Sequence, residues 1–458
     1  MGFDLDVLVI GGGGSGGFTA ATTALKSGAR VGMVEAARLG GLCILAGCMP
    51  SKTLLHWAEW LRQEGTEARR HHPQVLEQKR RVVDFLAGKR AEAVQARQAK
   101  GLEVFQGHAR FVDPHTVEFE GRRLSARSIV IATGSAWSLP PVPGLDSETC
   151  LLGEQFLELE ELPETLVVLG GGPLALEMAQ YSLRMGVDTT IVQRSPRLLS
   201  KEPAPVGELL EEALAAEGAT IYTGTKLLAV ERTAGGRVVV FEHQGQERRI
   251  EAQAVLAALG RRPNSQGLNL EAAGVETSRG AVKVDRFMRT SQDHIFAAGD
   301  VTGVNLVVNL AILQGEIAGY NATHPDRPRE IDDRVLPQAV FTDPQFARVG
   351  RRASELEAAG VEFEQALYKL SGLGVSRTYP RPPKGFMLMR ADPADGRILG
   401  AEIVAPEAAL LIHDTAVAMK LNGTAYDLAD LPYVHPCLSE LTNLCAGRLA
   451  RQIKRRRG

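Results

Sequence analysis

Cys43 and Cys48 are the residues whose types and spacing most directly suggest chemistry. They stand in the stretch Gly40-Gly41-Leu42-Cys43-Ile44-Leu45-Ala46-Gly47-Cys48-Met49-Pro50-Ser51-Lys52, just before a helix-like run at residues 53–62. Residues three to five apart share one side of a helix, so the two sulfurs can face each other. Gly47 permits a local bend, and Pro50 suits a first-turn position. Cys48 then lies near a helix N-terminus, whose partial positive charge favours thiolate. A free thiol titrates near about 8.5, and such surroundings lower it into roughly 3.5–7.5. The pair therefore reads as reactive sulfur, against the plainer alternative of two small buried apolar residues.

Elements that would position the pair are legible on both sides of it. Residues 4–10 form an apolar β-type run that ends in Gly11-Gly12-Gly13-Gly14-Ser15-Gly16-Gly17. A helical pattern at 18–27 follows, then a strand at 30–34 closing on Glu35. Gly11-x-Gly13-x-x-Gly16 in this setting is a dinucleotide fingerprint: glycines allow the tight turn, the helix N-terminus faces a pyrophosphate, and Glu35 accepts from a ribose diol. The pattern recurs where the apolar run 166–169 enters Gly170-x-Gly172-x-x-Ala175, a helix to Met185 and a strand at 189–192. There Gln193-Arg194 replaces the acid, with Arg197 close by. Guanidinium favours a 2′-phosphate, so this site reads as NADPH in preference to NADH. The alternative is that both arginines merely face solvent.

The 458 residues exceed what one core organises, and two to four domains follow. A formal net charge of −2 selects neither nucleic acid nor membrane as a partner. The five cysteines (43, 48, 150, 437 and 445) are too scattered for a secreted disulfide framework. Residues 1–10 read as a strand and not as a leader, and no apolar run reaches the ~18–20 residues a bilayer span needs. A cytoplasmic protein is expected. Residues 53–100 read as charged, solvated helix, because Glu and Asp interleave with Arg69, Arg70, Lys79, Arg80, Arg81, Lys89 and Arg90. The segment after Pro337 reads as α+β, and it ends in His435-Pro436-Cys437-Leu438-Ser439-Glu440, Cys445 and a basic tail.

Taken together, these features resemble the pyridine nucleotide–disulfide oxidoreductases, a family that includes dihydrolipoamide dehydrogenase, glutathione reductase and mercuric reductase. The resemblance spans essentially the whole chain. It rests on both glycine fingerprints, Cys43-x4-Cys48 with Pro50-Ser51-Lys52, Ala132-Thr133-Gly134, Glu177, Gly260-Arg261-Arg262-Pro263-Asn264, Ala298-Gly299-Asp300, Phe341-Thr342-x-Pro344 and His435-Pro436 with Glu440. It implies an α/β fold with two Rossmann-like domains and a C-terminal α+β dimerisation domain. FAD would occupy residues 1–150 and 268–333, NAD(P) residues 151–267, and the subunit interface residues 334–458.

By the same likeness, FAD is held by Gly11, Gly13, Gly16, Glu35, Lys52, Ala109, Thr133, Gly134 and Asp300. The nicotinamide cofactor is held by Gly170, Gly172, Ala175, Gln193, Arg194 and Gly260. Lys52 and Glu177 form an ion pair beside the flavin, Cys48 lies against the ring, and Cys43 exchanges with substrate. A homodimer delivers His435 to the partner subunit's Cys43, with Glu440 orienting the imidazole. No metal site is implied. Electrons then pass from NAD(P)H through flavin to the Cys43–Cys48 disulfide and on to a small-molecule or protein-borne disulfide.

Departures from the family pattern temper this reading. Leu42 and Leu45 replace the usual Thr and Asn around the first cysteine, which makes the loop apolar and would raise a thiol pKa. Cys437 replaces a Thr, and with Cys445 it suggests a relay thiol or metal ligand, or simply a small residue beside a packed one. Mercuric reductases carry a vicinal C-terminal cysteine pair and a Tyr for the late His, and this chain has neither, although Gln193-Arg194-Ser195 resembles theirs. The Leu438-Ser439-Glu440 ending and the lack of basic residues that would single out glutathione favour a dihydrolipoamide dehydrogenase-like enzyme. The alternatives are a metal-ion or small-electrophile reductase using Cys437 or Cys445, and a flavin-bound redox sensor with little turnover.

Overall fold

The structure, a computed structural model, describes residues 2–65 and 67–457. Leu5–Ile10, Val31–Glu35 and the second half of Arg122–Ile131 lie side by side in parallel, flanked by Glu103–Gln106 and Ile295–Ala297. Val7, Leu8, Val9, Ile129, Val130 and Ile131 are fully buried, because both faces of this sheet are covered. Continuous apolar runs without polar alternation are what a two-sided parallel sheet demands. The first half of Arg122–Ile131 pairs antiparallel with Thr116–Phe119, and that strand pairs with Arg110–Asp113. Helix Val308–Asn321 lies on helix Ser15–Lys26 in very close contact. A Cβ on Gly315 would stand 2.2 Å from the Gly16 carbonyl oxygen, so only hydrogen fits there.

A second parallel sheet has the order Thr220–Tyr222, Asp188–Val192, Thr165–Leu169, Ala254–Ala257. Next to it in the chain comes an antiparallel three-stranded sheet, Lys226–Thr233, Gly236–His243 and Gln246–Ala252. The C-terminal sheet is antiparallel, in the order Gln338–Val340, Gln345–Gly350, Ile398–Ala405, Phe386–Ala391, Glu364–Lys369. One face of it packs on helices Ala408–Lys420 and Glu440–Arg457. The other joins Val340, Phe346, Leu388 and Val404 to Leu54, Ala58, Leu176 and Met178 in a single core. The architecture is thus α/β, two units built on parallel sheets followed by an α+β unit. No helix among the described residues is long and apolar enough to cross a membrane.

Two sequence expectations need correction. The cysteine pair does not lie on one continuous helix: Gly41–Ala46 and Cys48–Glu64 are separate helices broken at Gly47. Residues 53–100 are helical, as Cys48–Glu64 and His72–Gln98, but they are not uniformly solvated. Lys79 is fully buried, donating to the Leu157 carbonyl at 2.8 Å and pairing with Glu158. Arg90 is half-buried against Phe18. Charge composition alone overlooked that a long helix lying on a domain must also bury one face.

Candidate active site

The break at Gly47 shapes the cysteine loop. A Cβ on Gly47 would stand 2.8 Å from the Leu42 carbonyl oxygen, closer than side chains come, so only glycine fits between the two helices. Helix Cys48–Glu64 therefore starts at the second cysteine, whose sulfur sits in the first turn, while Cys43 projects from the short preceding helix. Both cysteines are half-buried free thiols. Cys43 donates a hydrogen bond to Cys48, and that bond is the largest influence on each. It holds the Cys43 proton far above the usual thiol range, with burial and the neighbouring Cys48 charge adding to the effect. It brings Cys48 down to about 7, helped by the Lys52 ammonium and opposed by burial and Glu177. Burial in the apolar loop adds to the rise at Cys43, and at Cys48 it is outweighed by the hydrogen bond and Lys52.

Lys52 lies one turn beyond Cys48 on the same helix face. Its Nζ reaches Glu177 Oε2 at 2.7 Å and stands 4.7 Å over the Phe341 ring. Glu177, from helix Pro173–Arg184, is almost wholly buried, and its Oε1 accepts from the Phe341 backbone N–H at 3.0 Å. One carboxylate thereby links the cysteine helix, the second nucleotide-binding sheet and the C-terminal unit. The charges repeat two turns on. Arg184 reaches Glu59 at 2.6 Å, Glu217 at 2.7 Å and Asp343 at 2.9 Å, and Gln180 exchanges hydrogen bonds with the Asp343 backbone at 2.9 and 2.7 Å. Sequence reasoning missed Glu59, Gln180, Arg184 and Asp343. A signal was present in the seven-residue spacing of Lys52/Glu59 and Glu177/Arg184 with opposite signs, which is the pattern of two parallel helices in register.

Both glycine turns have the geometry of phosphate cradles. Gly11 has φ +86° and Gly170 has φ +120°, and a Cβ on either would stand 2.5 Å from a carbonyl oxygen, of Ala132 and Ala258 respectively. Only glycine combines that conformation with that approach. The helices that follow, Ser15–Lys26 and Pro173–Arg184, have no side-chain cap, so their first N–H groups are left for an anion. Gly13, Gly16, Gly172 and Ala175 complete the two turns. Glu35 is fixed beside the first, accepting from the N–H groups of Gly13 at 2.7 Å and Ala37 at 3.0 Å. Asp300 accepts from Ser135 Oγ at 2.6 Å, and Ser135 Oγ accepts from Arg261 Nε at 2.9 Å. Thr133 Oγ1 donates to the Asn264 carbonyl at 2.6 Å and Gly134 accepts from the Asn264 N–H at 3.0 Å, clasping the segment after Gly260 to this turn. Ala109 lies in the loop before Arg110–Asp113, against the adjoining core. A cradle, a ribose acceptor and a half-buried carboxylate lined up this way fit a flavin dinucleotide.

At the second turn, Gln193 is pinned through its N–H to the Tyr222 carbonyl at 2.8 Å, and the Leu199 N–H returns to the Gly171 carbonyl at 2.9 Å. Arg194 is exposed and Arg197 half-exposed on the loop between them. Neither guanidinium has a hydrogen-bond or ion-pair partner among the described residues. The loop is anchored to the C-terminal unit through Glu202, which accepts twice from Arg352 at 3.0 and 2.6 Å.

His435 and Glu440 form a unit of their own. His435 Nδ1 lies 2.8 Å from Glu440 Oε1, and Glu440 Oε2 accepts from the Cys437 N–H at 3.0 Å. The hydrogen bond to His435, followed by that from Cys437, holds the Glu440 carboxyl below its ordinary range. The His435 side chain is 75% exposed and makes no hydrogen bond to Cys43, Cys48, Lys52 or Glu177 of its own chain. Cys437 is half-buried, its Sγ donating to the Val434 carbonyl at 2.7 Å. Cys445 is fully buried in the C-terminal core, its thiol pushed up to about 12 by burial and directed at the carbonyls of Ala366 and Met387. Of the two readings of Cys445, a relay thiol or metal ligand beside Cys437 or simply a packed helix residue, its place in the core supports the second.

Comparison with known proteins accords with this geometry. Residues 5–317 match the pyridine nucleotide-disulphide oxidoreductase family and residues 336–445 match that family's dimerisation domain. The chain is 32% identical over 443 residues to a mercuric reductase of Staphylococcus aureus, covering 94% of this chain and 80% of that one. It is 33% identical over 448 residues to a dihydrolipoyl dehydrogenase of Thermus scotoductus, covering 95% of each. Among solved structures, the HOCl-induced flavoprotein disulfide reductase RclA from Escherichia coli superposes with a TM-score of 0.85 at 27% identity, over 96% of this chain and 99% of that one. The family is FAD-dependent, with NAD(P)H as electron donor. This chain belongs to the pyridine nucleotide–disulphide oxidoreductases.

Proposed function

We propose that the chain acts as a homodimeric NADPH:disulfide oxidoreductase in which Cys43 and Cys48 form the redox disulfide and Cys43 meets the substrate. The observation that carries this reading is the division of labour between the two sulfurs. Cys48, at a helix N-terminus beside Lys52, is the natural thiolate, whereas Cys43 keeps its proton and needs a base to become a nucleophile. The exposed His435, oriented by Glu440, supplies that base from a second copy of the chain. FAD, when bound, provides the path by which an electron pair from NADPH reaches the cysteines. Deprotonated Cys43 then attacks one sulfur of the substrate disulfide, and that S–S bond breaks. The departing thiolate takes the proton from His435. Cys48 displaces the second substrate thiol from Cys43 and restores the Cys43–Cys48 bond.

The apolar residues Leu42 and Leu45 around Cys43 support an apolar disulfide such as lipoamide. A second reading is reduction of a soft metal ion, supported by the equal nearness of curated relatives named mercuric reductase and by Cys437 two positions from His435. A panel of lipoamide, glutathione disulfide and mercuric ion, run with NADPH on the wild type and on Cys437→Thr, separates the two. Lipoamide should be turned over at a rate little affected by Cys437→Thr and abolished by Cys43→Ser. NADPH consumption with mercuric ion only, lost in Cys437→Thr, would replace the disulfide reading with the metal one.

A further inference from the structure

The loop that displays Arg194 and Arg197 ends in a strained turn. Leu199 has φ +43°, in the left-handed region that a leucine enters only under constraint. The Leu199 N–H reaches the Gly171 carbonyl at 2.9 Å, and the Glu202 N–H returns to the Leu199 carbonyl at 2.8 Å. Leu198 and Leu199 are buried, and a Cβ on Gly207 of helix Ala204–Ala216 would stand 2.4 Å from the Leu198 carbonyl oxygen. Beyond the turn, both oxygens of the Glu202 carboxylate are gripped by Arg352, at 3.0 and 2.6 Å. The pair is largely buried, with Glu202 10% and Arg352 15% exposed. Arg352 is fixed in its turn: Nη1 donates to Glu355 Oε1 at 2.7 Å, and its backbone N–H donates to Glu355 Oε2 at 2.8 Å. It stands just before helix Ala353–Ala358, in the C-terminal unit and 150 positions after Glu202.

We infer that Arg352 is a positioning residue for cofactor choice: by holding Glu202 it sets where Arg194 and Arg197 stand to receive the 2′-phosphate of NADPH. This rests on reading those two arginines as the 2′-phosphate site, and it adds what keeps them in place. Neither guanidinium has a hydrogen-bond or ion-pair partner among the described residues, so the backbone of the loop decides where both lie before a phosphate arrives. Cations on a fixed loop lose less freedom on binding than cations on a loose one. A bidentate guanidinium–carboxylate pair fixes orientation as well as distance, which a single point charge does not. Arg348 Nε lies 4.0 Å from Glu202 Oε1, so the carboxylate keeps a cation beside it when Arg352 is removed. What is lost is the fork. An ion pair that merely stabilised the fold would support NADP and NAD binding alike, whereas a positioning pair favours the one that carries the extra phosphate.

The test measures binding of NADP⁺ and NAD⁺ to the oxidised holoenzyme by calorimetry, so that no turnover enters. The two ligands differ only in the 2′-phosphate. In Arg352→Met the Kd for NADP⁺ should rise about fivefold while that for NAD⁺ stays within about twofold. Glu202→Gln, which keeps the size of the side chain and removes its charge, should act in the same direction. In a background of Arg194→Gln with Arg197→Gln, adding Arg352→Met should change neither constant by more than about twofold, because the residue acts through those arginines. An unchanged Kd for NADP⁺ in both single variants, an equal loss for both ligands, or a further fivefold loss in the double background would overturn the positioning role. The background variant also tells the two readings apart. If it binds NADP⁺ as the wild type does, the 2′-phosphate site is elsewhere and the positioning role falls with it. If it loses NADP⁺ while Arg352→Met does not, the site stands and only the role of Arg352 is refuted.

Discussion

Lys52 and Glu177 stand 2.7 Å apart although they belong to helices from different nucleotide-binding sheets, and the pairing recurs with the signs exchanged where Glu59 meets Arg184 at 2.6 Å. Two complementary pairs seven residues apart fix both the distance and the rotation of one helix against the other. Cys48 rides on the first of these helices, one turn before Lys52. Its position is therefore set by charges that reach across to the second sheet and to the Phe341–Pro344 segment. Partly buried pairs of this kind retain their worth because little water competes for them.

The first prediction concerns the thiolate. The Lys52 ammonium is among the influences that lower Cys48, so removing it disfavours the charged form and must raise the titration. In the NADPH-reduced holoenzyme, the long-wavelength absorbance of a thiolate against flavin should appear with a midpoint near about 7 and be complete above it. In Lys52→Met the midpoint should move upward by about one pH unit. A midpoint unmoved or lowered in the variant would show that Lys52 does not act on this sulfur.

Gly47 carries the second prediction. With a Cβ 2.8 Å from the Leu42 carbonyl oxygen, Gly47→Ala forces either the short helix or the long one to move. Stability should fall by about 1–3 kcal/mol. Formation of the Cys43–Cys48 disulfide should slow more than global stability alone accounts for. Denaturant melts with timed thiol counting would check both, and disulfide formation at the wild-type rate would contradict the role given to the bend.

How much of this was readable beforehand follows from how unambiguous each residue's physical role is. Gly11 and Gly170 announce themselves because no other residue fits beneath Ala132 and Ala258, and Val7 to Val9 announce a two-sided strand because nothing polar interrupts them. Cys43 and Cys48 were conspicuous by type, yet the helix break between them was not, because glycine permits a bend without requiring one. Lys79, Arg90 and Arg184 were hidden in the charge pattern. A basic residue on a helix reads the same whether it meets solvent, a buried carbonyl or an acid over a hundred positions away. The burial of Cys445 likewise depends on how Glu440–Arg457 rotates against the C-terminal sheet, which spacing alone leaves open.

Cofactor preference gives the third prediction. Arg194 and Arg197 flank the second glycine turn with guanidinium groups that have no partner among the described residues, as a 2′-phosphate requires. Arg194→Glu replaces attraction by repulsion at that position. The preference for NADPH over NADH, taken as the ratio of the two kcat/KM values, should fall at least about tenfold, or ~1.4 kcal/mol. An unchanged ratio would return both arginines to the status of a solvent-facing loop.

The last prediction separates the worth of a buried charge pair from the cost of breaking it. Arg390 and Glu402 lie on adjacent strands of the C-terminal sheet, 0% and 1% exposed, with Nη2 and Oε1 2.5 Å apart. Burial raises the Glu402 carboxyl despite the arginine, and Glu402 Oε2 finds no donor among the described residues. Desolvation is thus only partly offset. Arg390→Met strands a carboxylate in the core beside Leu388 and should cost about 3–5 kcal/mol. Glu402 then has its folded pKa raised further above its unfolded value. The variant should recover stability as pH falls towards the range where the carboxyl is protonated in the unfolded chain too, and lose it again as pH rises. Arg390→Met combined with Glu402→Leu removes both charges and should restore most of the loss, because apolar residues of similar size pack without that penalty. Melting curves of the three proteins across a pH series would decide it. A double variant as unstable as the single one would mean that the pair stabilises the sheet in its own right.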